Sequence, residues 1–407
     1  MHIAHLKLTN FRNYPHLDIG LPARKIVIEG DNAQGKTNFL EAIFFLATTR
    51  SHRASNEREL IGWGGGDEFF PGAQLCARVQ RADSEIQLEI ILSAERSLTQ
   101  APDPGAHFQT GVDDYLSSDI TTVKKKVRLN GLPRRAVDVV GQVKVVMFSA
   151  PDIDLVDGAP SLRRRYLDIT LCQINNRYLR SLQRYQKIVL QRNHLLRRIG
   201  EGKAKIHELD FWDRELIEYG GYIVLQRYEL LETLNPLARE IHCNLTSGCE
   251  ELSITYLPSV SGEWPEATDR DMMLSQSFQR NLAAKRDREI AQGISLVGPH
   301  RDDLQFIANR VDLGVYGSRG QQRAVVQSLK LAEASLIVDK TGEAPILILD
   351  DVLSELDGHR QLQLLQAVEP YPQVFITTTG ADLISKDFLT RSVRFRVKQG
   401  IVSPLEG

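Results

Sequence analysis

Near the N-terminus apolar positions fall in short alternating runs. Ile3, Leu6, Leu8 and Phe11 are followed by Leu17, Ile19 and Leu21, with Asn10 and Pro15 between them. Alternation broken by turn-forming residues predicts strands in a hairpin-like start. Arg24–Glu29 reads as a third strand that ends at Gly30. From Lys36 to about Thr48 the pattern changes: Phe39, Leu40, Ala42, Ile43, Phe44 and Leu46 are apolar on most sides, which predicts a helix buried between layers. Strand patterns return at 87–92 and 123–129. The Pro-, Gly-, Asp- and Ser-rich stretch 97–122 predicts a long loop, and Gly62–Gly66 a shorter one without dinucleotide-fingerprint spacing.

From Ser161 to about Arg239 the pattern is mostly helical, with a break near Gly200-Glu201-Gly202 and no sustained heptad repeat. Residues 252–257 predict a strand and 272–292 a helix rich in Arg and Lys. Strand signals resume from Ile294, and a helix follows over 321–338. Ile346-Leu347-Ile348-Leu349 predicts a strand buried on both faces, with Val374-Phe375-Ile376 as its neighbour. The α/β ends flank a helical middle, as expected if one lobe is built from both termini and a helical lobe is inserted. The boundaries expected are 1–150, 151–295 and 296–407.

The chemistry is most legible at Gly30-Asp31-Asn32-Ala33-Gln34-Gly35-Lys36-Thr37, which fits G-x-x-x-x-G-K-[ST]. Glycines let such a loop curl so that its N–H groups face phosphates, and the following helix adds its positive dipole end. Lys36 is placed for the β- and γ-phosphates and Thr37 for Mg²⁺. The pattern follows a predicted strand and opens a predicted helix, the context it requires. Ile346–Asp351 supplies the partner motif: Asp350, ending a buried strand, can reach the Mg²⁺ of a bound nucleotide, and Asp351 can orient the attacking water. No Asn-Lys-x-Asp follows, which disfavours a guanine-specific GTPase. Some 310 residues separate the two motifs, more than in simple P-loop kinases. Between them Ser318-Arg319-Gly320-Gln321 opens a helix, a second anion-binding end.

With these motifs the sequence resembles the ABC-type ATPases of the SMC-like branch, and within it the RecF family of bacterial recombination mediators. The resemblance extends over nearly the whole chain. Besides the motifs above it rests on Lys36-Thr37-Asn38, Arg50–Arg53, Asn130-Gly131, Phe148, Pro151–Val156, Arg163–Asp168, Gln191-Arg192-Asn193, Gly298–Asp303 and Asp350–Asp357. It implies an ABC-type P-loop ATPase head, an α/β lobe I with mixed sheets around the P-loop helix, and an inserted, mainly helical lobe II. It implies ATP sandwiched in a homodimer, where Ser318, Gly320 and Gln321 of one subunit close on the γ-phosphate held by Lys36 of the other, with Asp357 at the interface. Asn38, ending the P-loop segment, joins the nucleotide contacts, and by looser analogy so does Arg53. Arg319 stands where relatives often have Gln, and Asp351 where many ABC ATPases have Glu, which fits slow hydrolysis. Thr377-Thr378-Thr379 fills the switch-histidine region without a His, Thr378 or Thr379 being the expected substitute, and no Q-loop glutamine is evident.

Composition adds exclusions. Four cysteines in 407 residues, none in C-x-x-C spacing, make neither a zinc site nor a disulfide scaffold and are expected to pack reduced. No apolar run approaches the roughly 18 residues of a membrane span, and the N-terminus lacks an apolar signal region. A cytoplasmic protein without membrane partners is expected. The formal charge of −2 does not itself nominate a nucleic-acid binder. Residues 121–200, however, carry 17 Lys and Arg against five acids, a formal +12, leaving −14 for the rest. On one predicted helix Tyr178, Leu182, Tyr185, Val189 and Leu196 share a face, and Arg177, Arg180, Arg184, Lys187 and Arg198 the opposite one, a cationic stripe suited to phosphates. With Lys124, Lys125 and Lys126, the stripe residues Arg177, Arg180, Arg184 and Lys187 are the candidate DNA contacts.

The resemblance then implies a weak, DNA-stimulated ATPase acting as a switch, with ATP and Mg²⁺ as cofactors. It implies a dimer binding duplex DNA at single-strand gaps or stalled forks, a RecR-like partner, recombinase loading and links to replication and the SOS response. The rival reading, the ATPase subunit of a membrane transporter, shares the nucleotide motifs but predicts a shorter chain and a switch His. An SMC-like structural protein would need a long heptad segment.

Overall fold

Strict alternation builds the first sheet. In the strand Gly72–Gln80, Ala73, Leu75, Ala77 and Val79 are buried while the residues between them face outward. The computed structural model describes residues 1–62, 72–96, 120–262, 270–381 and 384–405; of the predicted loop at 97–122, residues 97–119 lie outside them, as does most of Gly62–Gly66, while 120–122 open a strand. The chain divides into two compact units. The first comprises 1–139, 345–356 and 368–407, and the second 140–344 and 357–367.

The first unit holds an antiparallel sheet in the order Tyr14–Gly20, His2–Phe11, Gly72–Gln80, Glu85–Arg96, Ile120–Leu129, Leu132–Arg134. The expected hairpin start is present, Leu8 lying opposite Leu17. Asn130 and Gly131, both at positive φ (51° and 78°), make the two-residue turn between the last two strands. Its second sheet runs Ile401–Leu405, Val393–Lys398, Lys25–Glu29, Val374–Thr378, Ile346–Asp350, parallel except for the terminal hairpin. The helix Lys36–Thr48 packs against strands of both sheets, which is why it is apolar nearly all round.

The second unit is mainly helical: Pro160–Ile174, Asn176–Gly200, Leu209–Leu245, Arg270–Gln292 and Arg319–Thr341, beside a three-stranded antiparallel sheet of Leu252–Leu257, Asp303–Ala308 and Val311–Asp312. Two buried arginines organise it. Arg192 donates to Asp213 at 2.8 Å, Glu289 at 2.5 Å and Ser295 Oγ at 2.8 Å. Arg227 donates to Asp168 at 2.8 Å, Asp302 at 3.3 Å and the Pro299 carbonyl at 2.6 Å. Several residues that carry the family resemblance are thus the polar core of this unit.

Three expectations change. The strand Gly72–Gln80 was not predicted. The strand expected from Ile294 begins only at Asp303: Ser295 and Leu296 bond instead to Asn193 and Glu289 side chains, and Gly298 sits at φ 127° before Pro299. Of the cysteines only Cys172 is buried; Cys76 is half-buried, and Cys243 and Cys249 are exposed.

Candidate nucleotide-binding site

The loop Gly30–Thr37 is shaped by two glycines that no other residue could replace without displacement. A Cβ on Gly30 would lie 2.4 Å from the Val397 carbonyl oxygen. One on Gly35, at φ 119°, would lie 2.6 Å from Asn13 Nδ2. Side chains and backbone around the loop hold it. Asn13 Nδ2 and Gly400 N donate to the Gln34 carbonyl at 2.9 and 3.0 Å, and Tyr14 donates to that of Gly35 at 2.9 Å. Asp31, Asn32 and Ala33 are exposed at the loop tip. The helix that follows has no acidic residue in its own first turn to offset its positive end, which suits an anion site.

Lys36 Nζ donates to the carbonyls of Gly30 (2.6 Å) and Asp31 (2.9 Å). Burial lowers its pKa, partly countered by Asp351, Asp350 and Asp31 nearby. The parallel register that places Ile376 opposite Leu349 also brings Thr377 to the carboxyl end of the neighbouring strand. There Asp350 Oδ1 accepts from Thr37 Oγ1 at 3.0 Å and from Thr377 Oγ1 at 2.9 Å. The Asp351 N–H donates to Thr377 Oγ1 at 2.9 Å. Asp351 sits at φ 55°, and its Oδ1 is buried with no hydrogen-bond partner.

Burial raises the pKa of Asp350 from its ordinary value, although both threonine hydroxyls and Arg53 act to lower it. A hydroxyl and a carboxylate converging beside an orphaned carboxylate oxygen are hard oxygen donors of the kind Mg²⁺ takes. Thr37 and Asp350 therefore fit the expected metal, which would neutralise a charge that burial now penalises. Arg53 Nη1 donates to Asn38 Oδ1 at 3.3 Å, and Asn38 Nδ2 to Asn13 Oδ1 at 2.8 Å, so both sequence candidates belong to one polar network beside the loop.

The signature residues, Ser318, Gly320 and Gln321, lie in the second unit. Ser318 caps the helix Arg319–Thr341 in a reciprocal box: Gln321 N donates to Ser318 Oγ (3.3 Å) and Ser318 N to Gln321 Oε1 (2.9 Å). Ser318 and Arg319 are exposed, and Arg319 pairs with Asp157 at 3.1 Å, turned aside from the cap. Arg360 donates to the Gly320 carbonyl at 2.8 Å, while its own N–H donates to Asp357 Oδ1 at 2.9 Å. One arginine thus ties the signature to Asp357.

Among the DNA candidates, Lys124, Lys125 and Lys126 lie in the first unit and Arg177, Arg180, Arg184 and Lys187 in the second. Lys125 is turned inward, donating to the Thr49 carbonyl at 2.9 Å and to Glu57. The predicted faces of the helix Asn176–Gly200 are present: Tyr178 and Tyr185 are buried, Leu182 and Val189 half-buried, and Arg177, Arg180, Arg184, Lys187 and Arg198 exposed. Arg177, Arg180 and Arg184 line a cleft of 580 Å³ with Ser181, Glu218, Tyr219 and Tyr222. Arg177 stacks over the Tyr222 ring, and Arg184 bonds Glu215 at 2.7 Å. Lys144, Arg163 and Arg192, counted above with the basic stretch, are instead buried and paired with Glu343, Asp303, and Asp213 and Glu289.

Sequence reasoning missed Thr377 and Arg360. It favoured Thr378 or Thr379 over Thr377, yet the Thr378 hydroxyl is spent on the Gly380 carbonyl at 2.7 Å. Among the described residues no cluster of three or more His, Cys, Asp and Glu forms a metal site, and no helix is long and apolar enough to cross a membrane.

Residues 2–402 match the family described as RecF/RecN/SMC N terminal domain. The chain is 42% identical over 411 residues to the DNA replication and repair protein RecF of Roseiflexus castenholzii, covering 99% of this chain and 100% of that one. It is 40% identical over 405 residues to the protein of the same name from Bacillus mycoides, covering 99% and 98%. The solved structure of the recombination mediator protein RecF with ATPrS, in the RecFOR pathway, matches at a TM-score of 0.84 and 29% identity, over 100% of this chain and 98% of that one. An Smc head bound to the C-winged helix domain of ScpA matches at 0.52 and 12%, which shows the common fold. The mixed α/β ATPase head with a helical insert is therefore the architecture here. By motif, fold and full-length similarity, the chain belongs to the RecF/RecN/SMC N-terminal domain family, as one of its RecF members.

Proposed function

We propose that this chain is an ATP-driven switch of recombinational repair and replication. Gly30–Asn38 and Arg53 hold the nucleotide, with Thr37 and Asp350 at its Mg²⁺. The carrying observation is the oxygen cluster of Thr37, Asp350, Thr377 and Asp351 beside the phosphate loop. Lys36 neutralises the terminal phosphates, and Asp351 orients the attacking water. Its shorter reach and left-handed backbone suit slow turnover.

Ser318, Gly320 and Gln321 of one subunit complete the site of the other. Ser318 Oγ accepts from Gln321 N and keeps its own proton for a phosphate, and the N–H groups of Arg319 and Gly320, at the helix start, have no preceding turn to donate to. ATP then favours the closed homodimer because it binds that form preferentially. The closed dimer holds duplex DNA at gaps or stalled forks and works in the cytoplasm. A RecR-like partner assists recombinase loading, slow hydrolysis releases the complex, and the cycle feeds the SOS response. The sequence relatives named RecF, and a solved structure of RecF with ATP, support this reading.

Lys36→Ala should abolish ATP binding and, with it, ATP-dependent dimerisation measured by sedimentation. Dimers that form equally well without Lys36 would overturn the sandwich.

A further inference from the structure

The structure assigns a positioning role to Glu250 and His242, two residues outside every nucleotide motif: they clamp the side chain of Gln321 and so set the signature helix for closure. This rests on the signature reading proposed above. Gln321 has two tasks. Its Oε1 accepts from Ser318 N, closing the cap, and its Nε2 donates to Glu250 Oε1 at 2.7 Å. Both neighbours demand the same amide orientation, so the side chain is held in one pose.

Glu250 is itself held. Its other oxygen meets Nε2 of His242, a fully buried residue in the last turn of the helix Leu209–Leu245, at 3.0 Å. His242 Nδ1 lies 3.1 Å from Ser328 Oγ, whose hydroxyl donates to the Ala324 carbonyl at 2.7 Å. The Ser328 hydroxyl can donate to the Ala324 carbonyl or turn to His242 Nδ1, so a neutral His242 carrying its proton on Nε2 satisfies both neighbours and donates to Glu250. The chain from Ser328 through His242 and Glu250 to Gln321 therefore starts and ends on one helix, bracing its first turn against its third. Without the brace Gln321 can leave Ser318, and the capped turn that would meet the γ-phosphate loosens.

The test measures ATP-dependent dimerisation of the full chain by sedimentation, and ATP binding to the monomer with a fluorescent analogue. Glu250→Ala and Glu250→Asp, the latter too short to reach both neighbours, should weaken dimerisation about tenfold, the effect of losing one charge-assisted hydrogen bond. Monomer ATP affinity should stay within about twofold. Glu250→Gln should restore dimerisation, because its carbonyl accepts from Gln321 and its amide donates to a neutral His242. In a Gln321→Ala background Glu250→Ala should add nothing, whereas a merely structural residue would still add its own cost. Should Glu250→Ala not fold by circular dichroism, the Asp and Gln variants decide. Normal closure in Glu250→Asp alongside failed closure in Ser318→Arg would overturn the clamp and leave the signature reading standing. Normal closure in Ser318→Arg would overturn the signature reading itself.

Discussion

Asp350 shows a single residue kept at a cost for function. It is buried, receives hydrogen bonds from Thr37 and Thr377, and still has its pKa raised, because desolvation outweighs both bonds. A raised acid binds its proton more tightly in the folded chain than in the unfolded one. Its stabilising contribution is present below the ordinary carboxylate value near about 4 and is lost as pH rises through the folded value. At neutral pH the nucleotide-free protein therefore carries a penalty that a bound cation would remove. Asp350→Asn should raise the melting temperature without nucleotide by about 2 °C, the shift that about 1 kcal/mol produces in a domain of this size. It should also flatten the decline in stability above about pH 4 and abolish the Mg²⁺-dependent part of the ATP-induced stabilisation. Differential scanning fluorimetry across pH, with and without Mg²⁺, reads all three. A variant that still gains stability from Mg²⁺ would remove Asp350 from the metal site.

At the scale of elements, chemistry is assembled by strand register. Thr377 serves both acidic residues because its strand pairs in parallel with Ile346–Asp350. Thr377→Val keeps the shape and removes the hydroxyl, leaving the Asp351 N–H without its acceptor. The expected cost is about 1–3 kcal/mol, seen as a lower urea midpoint, with ATP turnover falling further than ATP affinity because Asp351 loses its backbone anchor. The same contrast explains what the sequence could reveal. The phosphate loop is contiguous and its glycines answer a local backbone demand, so Gly30–Thr37 was legible, as was the all-apolar strand ahead of Asp350. Thr377, Arg360, Glu250 and His242 gain their roles only when distant segments meet, and no local pattern marks them. The strand Gly72–Gln80 escaped for another reason: its inward positions include Ala73 and Ala77, too small to stand out as an apolar alternation.

For the molecule as a whole, the basic stretch 121–200 needs dividing before it can be tied to DNA. Lys144, Arg163 and Arg192 are interior and paired. Removing Arg192 would leave Glu289 buried without its cation, Asp213 keeping Arg286, and cost stability, about 3–5 kcal/mol, rather than report on binding. The exposed face of Asn176–Gly200 remains, and even there Arg184 is held by Glu215. Phosphate contacts act through counterion release, so the slope of log affinity against log salt counts them, at about 0.9 per duplex phosphate. If this face binds DNA, Arg177→Gln, Arg180→Gln and Lys187→Gln should each reduce the slope by up to that amount. Glu215→Gln should act in the opposite sense, releasing Arg184 for a phosphate, steepening the slope and tightening binding at low salt. The two changes have opposite signs on neighbouring helices, which general destabilisation would not reproduce. Fluorescence anisotropy of the ATP-bound protein on a duplex, titrated with salt, measures both. Slopes unmoved by either set would direct the search to the first unit, where Lys124 and Lys126 are exposed on the strand Ile120–Leu129.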